Sequence, residues 1–198
     1  MLKSNVSWST NKDSYTQGKE AAEKAVVDLI QTKVAFLFTS VDCNVEKVLE
    51  GAKAELGTAP IIGCTSSAGI ITPDGFISGE NGFTGILALG DPELTVGVAS
   101  SPKKEEARLT GQMVAKEAMK KAGRTDSPAY FYMVASPAEE EDYIKGIEDV
   151  IGRVPIFGGS AADNTVEGKW SIYTNNEVFA DGVAVAFFYT DKKMSNVY

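Results

Sequence analysis

The stretch Pro60-Ile61-Ile62-Gly63-Cys64-Thr65-Ser66-Ser67-Ala68-Gly69 decides the fold, because it returns at an offset of 95 as Pro155-Ile156-Phe157-Gly158-Gly159-Ser160-Ala161-Ala162-Asp163-Asn164. A short apolar run that ends in glycine and small polar residues reads as a buried strand entering a loop. The same offset relates Gly51 to Gly146, Gly57 to Gly152, Ile61 to Ile156 and Gly63 to Gly158. Convergent use of Gly caps and Pro by two unrelated βαβ units is one reading of these identities, and duplication is the other. The Gly51/Gly146 pair favours duplication: it falls inside a helical pattern, where glycine costs about 1 kcal/mol and no cap requires it.

Outward from this passage, a capping box at Ser14 and Gln17 predicts a helix over roughly 15–31, and the apolar run 34–39 predicts a buried strand. Val45, Val48, Leu49, Ala52 and Leu56 have helical spacing closed by Gly57, so strand, helix and strand form a parallel pair with a right-handed crossover. Hairpin signals follow at Ile70-Ile71-Thr72 before Pro73-Asp74-Gly75, then strands over 82–89 and 94–99. The second half reads as a helix started by Ser101 and Pro102 and ended by Gly123, a strand over 129–134, a helix over 137–151 behind the capping box Ser136-Pro137-Ala138-Glu139, and a strand over 154–157. A hairpin around Asn175-Asn176 and a strand over 182–189 complete it. More loosely, the repeat pairs Ala35-Phe36 with Tyr130-Phe131, Ala21-Ala22 with Val114-Ala115, and the strands beginning at Gly85 and Gly182. The predicted class is α/β, with internally duplicated helix-strand-helix-strand-hairpin units forming mixed β-sheets packed with α-helices. One domain over 1–190 is expected, with repeats of about 14–100 and 101–190 and a polar tail at 191–198. Strand order does not follow from the sequence.

Composition narrows the chemistry. The chain of 198 residues carries 19 Lys+Arg against 27 Asp+Glu, a formal net charge of −8, and no histidine. Without histidine there is no Ser-His-Asp or Cys-His nucleophile pair, no His-bearing zinc or iron site, and no haem held by a proximal His. An acidic chain whose longest basic runs are pairs such as Lys103-Lys104 is not expected to bind nucleic acid. The N-terminus lacks a signal-peptide apolar region and no apolar run is long enough to span a bilayer, so a cytoplasmic protein without membrane attachment is expected. In that compartment Cys43 and Cys64 read as free thiols, placed near each other just past neighbouring parallel strands.

The two repeated loops are the candidate site. Both leave the C-terminal end of a parallel strand, where open α/β sheets hold ligands, and glycine, hydroxyls and successive N–H groups can form a concave donor array. The candidate ligand-binding residues are Cys64, Thr65, Ser66, Ser67, Gly158, Gly159, Ser160, Asp163 and Asn164. The alternative is that small residues are needed only where two loops pass in a crowded core, and that Asp163 and Asn164 form turns. Neither loop has a P-loop or dinucleotide fingerprint. A Cys64 nucleophile would need a lowered pKa and a base, and no Ser-x-x-Lys surrounds Ser66, Ser67 or Ser160, so no catalytic residue and no metal ligand is assigned. The run Glu139-Glu140-Glu141-Asp142 reads as a solvated helix start. Trp170 and Tyr173 fit either a pocket wall or sheet packing.

The passages 60–71 and 155–164 resemble the two motifs of the FIST family's N-terminal domain, in the right order, and the resemblance runs from the first helix to the strand ending near Tyr189. It implies a small-molecule-binding sensory domain of prokaryotic signal transduction, with an amino acid or small carboxylate as ligand. It also implies a FIST C-terminal domain or a signalling output module as partner. A structural or protein-interaction module, or a Cys/Ser-based enzyme, are the other readings. Some family members bind haem through histidine; this chain has none, and no cofactor is expected.

Overall fold

In the computed structural model, which describes residues 1–193, the chain folds into two sheets packed face to face with two helices on the outside of each. The polar tail expected over 191–198 lies, from 194 onward, outside the described residues. The first sheet has the order β1-β6-β2-β3-β10-β11, formed by Lys3–Ser9 (β1), Val34–Thr39 (β2), Ile61–Thr65 (β3), Thr84–Gly90 (β6), Ile172–Thr174 (β10) and Val178–Phe179 (β11). The second has the order β7-β12-β8-β9, from Thr95–Pro102 (β7), Tyr130–Ala135 (β8), Ile156–Ser160 (β9) and Gly182–Tyr189 (β12). Between β3 and β6 a separate two-stranded hairpin is formed by Ile70–Thr72 (β4) and Gly75–Ile77 (β5).

Helices Ser14–Ala25 (α1) and Val45–Leu56 (α2) cover the first sheet, and Ala107–Ala122 (α3) and Glu140–Ile151 (α4) the second. The order β1-β6-β2-β3 is repeated as β7-β12-β8-β9, and in both the last pair is parallel and the rest antiparallel. Duplication is therefore visible in the topology. The N-terminal strand β1 is part of it, matching β7, although nothing in its alternation was read as a strand. Leu37 stands opposite Gly63 as Met133 stands opposite Gly158, which aligns Thr65 with Ser160. Thr39 faces Thr84 as Ala135 faces Val183, so Gly85 corresponds to Ala184, two residues past the pairing with Gly182.

The mid-helix glycines have a steric reason. A Cβ on Gly51 would lie 2.0 Å from the Tyr15 carbonyl oxygen, and one on Gly146 would lie 2.0 Å from that of Arg108. Gly18 and Gly111 meet the partner helices in the same way, at 2.0 Å from Val48 O and 2.4 Å from Tyr143 O. Each helix pair thus crosses with backbones in contact, a geometry only glycine permits.

Several boundaries differ from the sequence reading. Helix α1 is capped by Asp13, which accepts from Thr16 N at 2.8 Å, and it ends at Ala25, with Asp28 at positive φ. Ser101 and Pro102 belong to β7, whose pairing with β12 outweighs their helix-start chemistry, so α3 begins only at Ala107. Ser136 does not cap α4; its hydroxyl donates to Asp181 at 2.8 Å. Cys43 packs on the helix side of the first sheet and Cys64 between the sheets, so the two free thiols lie on opposite faces. Among the described residues no helix is long and apolar enough to cross a membrane.

Candidate functional site

The repeated loops meet. Thr65 O accepts from Ala162 N at 3.0 Å, Asn164 Oδ1 accepts from Ala68 N at 2.9 Å, and Asn164 Nδ2 donates to Asp42 at 3.1 Å. Between the sheets, at the C-terminal ends of β2, β3, β8 and β9, lies a cavity of about 380 Å³. Six of the nine candidate residues line it: Cys64, Thr65, Ser66, Gly158, Gly159 and Ser160. Ser67, Asp163 and Asn164 do not. The remaining wall is Phe38, Tyr132, Val134, Phe157 and Ala162, which were read only as strand or loop residues. Alternation along β8, with Tyr132 and Val134 on one face, is the signal that could have found them.

Glycine shapes this wall in two ways. A Cβ on Gly63 would lie 1.7 Å from Leu37 O and one on Gly158 1.8 Å from Met133 O, so both are needed for close approach of the parallel partner. At Gly159 a Cβ would meet nothing within 4 Å. Gly159 takes the place that Cys64 holds in the first half, and its missing side chain contributes the empty volume.

The hydroxyls are largely engaged within the protein. Thr65 Oγ1 accepts from Ser171 N at 2.9 Å, Ser66 Oγ donates to Gly69 O at 3.1 Å, and Ser160 Oγ donates to Glu140. Asp163, 4% exposed, organises its own loop by accepting from Thr165 N and Glu167 N at 3.0 Å, Lys169 N at 2.7 Å and Val166 N. Burial pushes its carboxyl pKa up, but these backbone donors outweigh burial and hold it below the usual range. Tyr173 is fully buried and donates to Leu37 O at 3.1 Å and Cys64 O at 2.8 Å, while Trp170 Nε1 donates to Ala180 O at 3.0 Å. Both are packing residues.

Tyr132 and Cys64, 7% and 4% exposed, line the cavity, whereas the buried hydroxyls without a hydrogen-bond partner among the described residues are those of Tyr143 and Tyr189, outside it. The Tyr132 ring is held edge-on by Phe36 at 4.8 Å and flanked by Phe157 at 5.1 Å. Burial raises the Tyr132 phenol and pushes the Cys64 thiol up to about 12, so both are neutral near pH 7. Cys64 is a weak hydrogen-bond group there, without thiolate character. No Lys or Arg lines the cavity.

Comparison with known proteins places this geometry in a family. The model of the FIST N domain matches residues 33–198. No curated protein matches the chain. Among solved structures, a cyanuric acid hydrolase from A. caulinodans is similar at 11% identity and a TM-score of 0.49, over 96% of this chain and 67% of that one. A second cyanuric acid hydrolase, described as an evolutionary innovation by structural concatenation, is similar at 12% identity and a TM-score of 0.42, over 95% and 68%. Thiamine monophosphate kinase from Aquifex aeolicus gives 8% identity and a TM-score of 0.27, over 98% and 80%. The match of the family model over most of the length shows that the chain belongs to the FIST N domain family.

Proposed function

We propose that the chain is a small-molecule-binding sensory domain whose ligand occupies the cavity between the β3 and β9 loops. The observation that carries this reading is that the two repeated loops close on a cavity of about 380 Å³ walled by Phe38, Tyr132, Phe157 and Val134 and by the small residues of both loops. Membership of the FIST N domain family supports a sensory role in signalling. The lining refines the ligand class. With no cationic side chain in the wall and Glu140 held by Ser160, a free anionic carboxylate is disfavoured. An uncharged or zwitterionic molecule, an amino acid among them, fits better, with a flat face against Phe157 and an acceptor at the Tyr132 hydroxyl.

The test is a thermal-shift screen of amino acids, amides and small carboxylates on the whole chain, repeated on Gly159→Leu and Tyr132→Phe. A ligand at a hundred times its Kd adds about 2.7 kcal/mol. For a chain of this size that is a rise in Tm of roughly 5–11 °C, and Gly159→Leu, which fills open space, should abolish it. Tyr132→Phe should weaken it. A shift that survives Gly159→Leu would place the ligand elsewhere, and the absence of any hit would favour the interaction-module reading, to which the engaged hydroxyls of Thr65, Ser66 and Ser160 also lend weight.

A further inference from the structure

The two halves share a strand order but differ at one edge. In the first sheet the outer edge of β3 is taken by β10, antiparallel, with Ile172 opposite Cys64, Tyr173 opposite Gly63 and Thr174 opposite Ile62. In the second sheet β9 is the edge strand, and among the described residues nothing pairs with its outer side. All five of its residues are exposed, Ile156 at 38% and Phe157 at 43%. Edge strands are normally guarded by charge, proline or a bulge, and Ile156-Phe157-Gly158-Gly159-Ser160 carries no charge and no proline. This is an acceptor edge without its strand.

The repeat also identifies what that strand looks like. β10 and β11 form the hairpin that follows β9, and the hairpin that follows β3 is β4–β5. β10 lies against β12 of its own half, and β4 is held to the matching place in the first half, with Ile70 resting over Gly85, the counterpart of Ala184. Yet β4–β5 pairs with no further strand, and it holds Ile71 at 88% and Phe76 at 63% exposed. Tyr173, the middle residue of β10, covers Gly63, where an added Cβ would lie 2.8 Å from the ring. Ile71 is the middle residue of β4, and Gly158, which stands where Gly63 does, is exposed.

We propose that the β4–β5 hairpin of one copy of this chain pairs antiparallel with the β9 edge of a second copy, as β10 pairs with β3 within the chain. The register copied from β10 on β3 puts Ile70 opposite Gly159, Ile71 opposite Gly158 and Thr72 opposite Phe157 of the other copy. Each copy has one such donor and one such acceptor, so two copies related by a twofold axis satisfy both at once. Main-chain hydrogen bonds along the edge supply affinity, and seating Ile71 over glycine supplies register. The pairing does not depend on the ligand reading.

Sedimentation and light-scattering mass across a wide concentration range test the pairing, with Ile71→Lys on the donor and Ile156→Lys on the acceptor; both positions are exposed, and an unchanged circular dichroism spectrum would show that the variants fold. The wild-type chain is expected to form a dimer that either substitution returns to monomer. A chain carrying both Thr72→Cys and Phe157→Cys is expected to yield a covalent dimer under mild oxidation, resolved on a non-reducing gel. A monomer at every concentration, a dimer insensitive to both lysines, or a cross-link that closes only within one chain would overturn the proposal.

Discussion

Asp163 shows how one side chain can look like a ligand contact in the sequence and serve as scaffolding in the fold. Its position in a glycine-rich loop after a parallel strand fits either role; the four backbone donors converging on its carboxylate, from Thr165, Val166, Glu167 and Lys169, assign it to the loop. Its pKa lies below the usual carboxylate value in the folded chain. A carboxyl depressed by folding stabilises the protein above the unfolded pKa of about 3.9 and loses that contribution as pH falls through the lower folded value. Asp163→Asn is therefore expected to lower the thermal midpoint at pH 7 and to flatten its decline below pH 4, measured by melting curves across the acid range. An unaltered acid limb would show that other carboxylates dominate it. Tyr132 is the converse case. Its ring reads as ordinary core in the sequence, and only the facing sheet reveals that it forms a cavity wall.

At the scale of elements, the legible features were those in which local chemistry and tertiary packing agree. Asn44 and Gly57 bracket α2, Gly123 closes α3 in the left-handed conformation, and the strand over 182–189 was read to its ends. The failures occurred where tertiary contacts override a local signal: Ser101 and Pro102 carry helix-start chemistry but pair with Ser101-facing Val183 and with Gly182 across the sheet. β1 escapes a reading by alternation because the residues it buries are Ser7 and Ser9, while Val6 is exposed and Trp8 half-buried, the reverse of an apolar-inward pattern. The mid-helix glycines were noticed through the repeat, and their cause lies in contacts between helices that no local pattern contains. Gly51→Ala and Gly146→Ala should each destabilise by about 1–3 kcal/mol, the usual cost of overpacking, since the added methyl meets backbone that cannot rotate away. Denaturant unfolding of both variants checks this, and near-equal losses would show that the two crossings are energetically equivalent as well as geometrically alike.

At the scale of the whole molecule, the halves are duplicated in topology and interdependent in stability. The core between the sheets draws Phe36, Ile62 and Cys64 from one half and Tyr132, Ala184 and Phe188 from the other, and β10 completes the first half's sheet with residues of the second. Residues 1–93 expressed alone should consequently lack a cooperative melting transition, and mixing them with residues 94–198 should restore one, followed by near-ultraviolet circular dichroism. Independent cooperative unfolding of the first fragment would mean that its helix-side core around Leu37, Val48 and Ile61 suffices. The sequence conveyed the repeat, because it is written in identities at a fixed offset. It could not convey the exchange of β10 between halves, since sequence similarity says which segments are alike and not which of them pair.

That exchange has a consequence in time as well as in space. The Asn175 side chain accepts from Ile61 N and donates to Ala59 O, closing contacts 114 and 116 residues apart. At a synthesis rate of roughly 5–20 residues per second, β3 emerges and waits on the order of 6–23 s before its neighbour exists. During translation the nascent first half therefore presents, for seconds, the same kind of vacant strand edge that β9 presents in the finished chain, and a ribosome-associated chaperone has that interval in which to bind it.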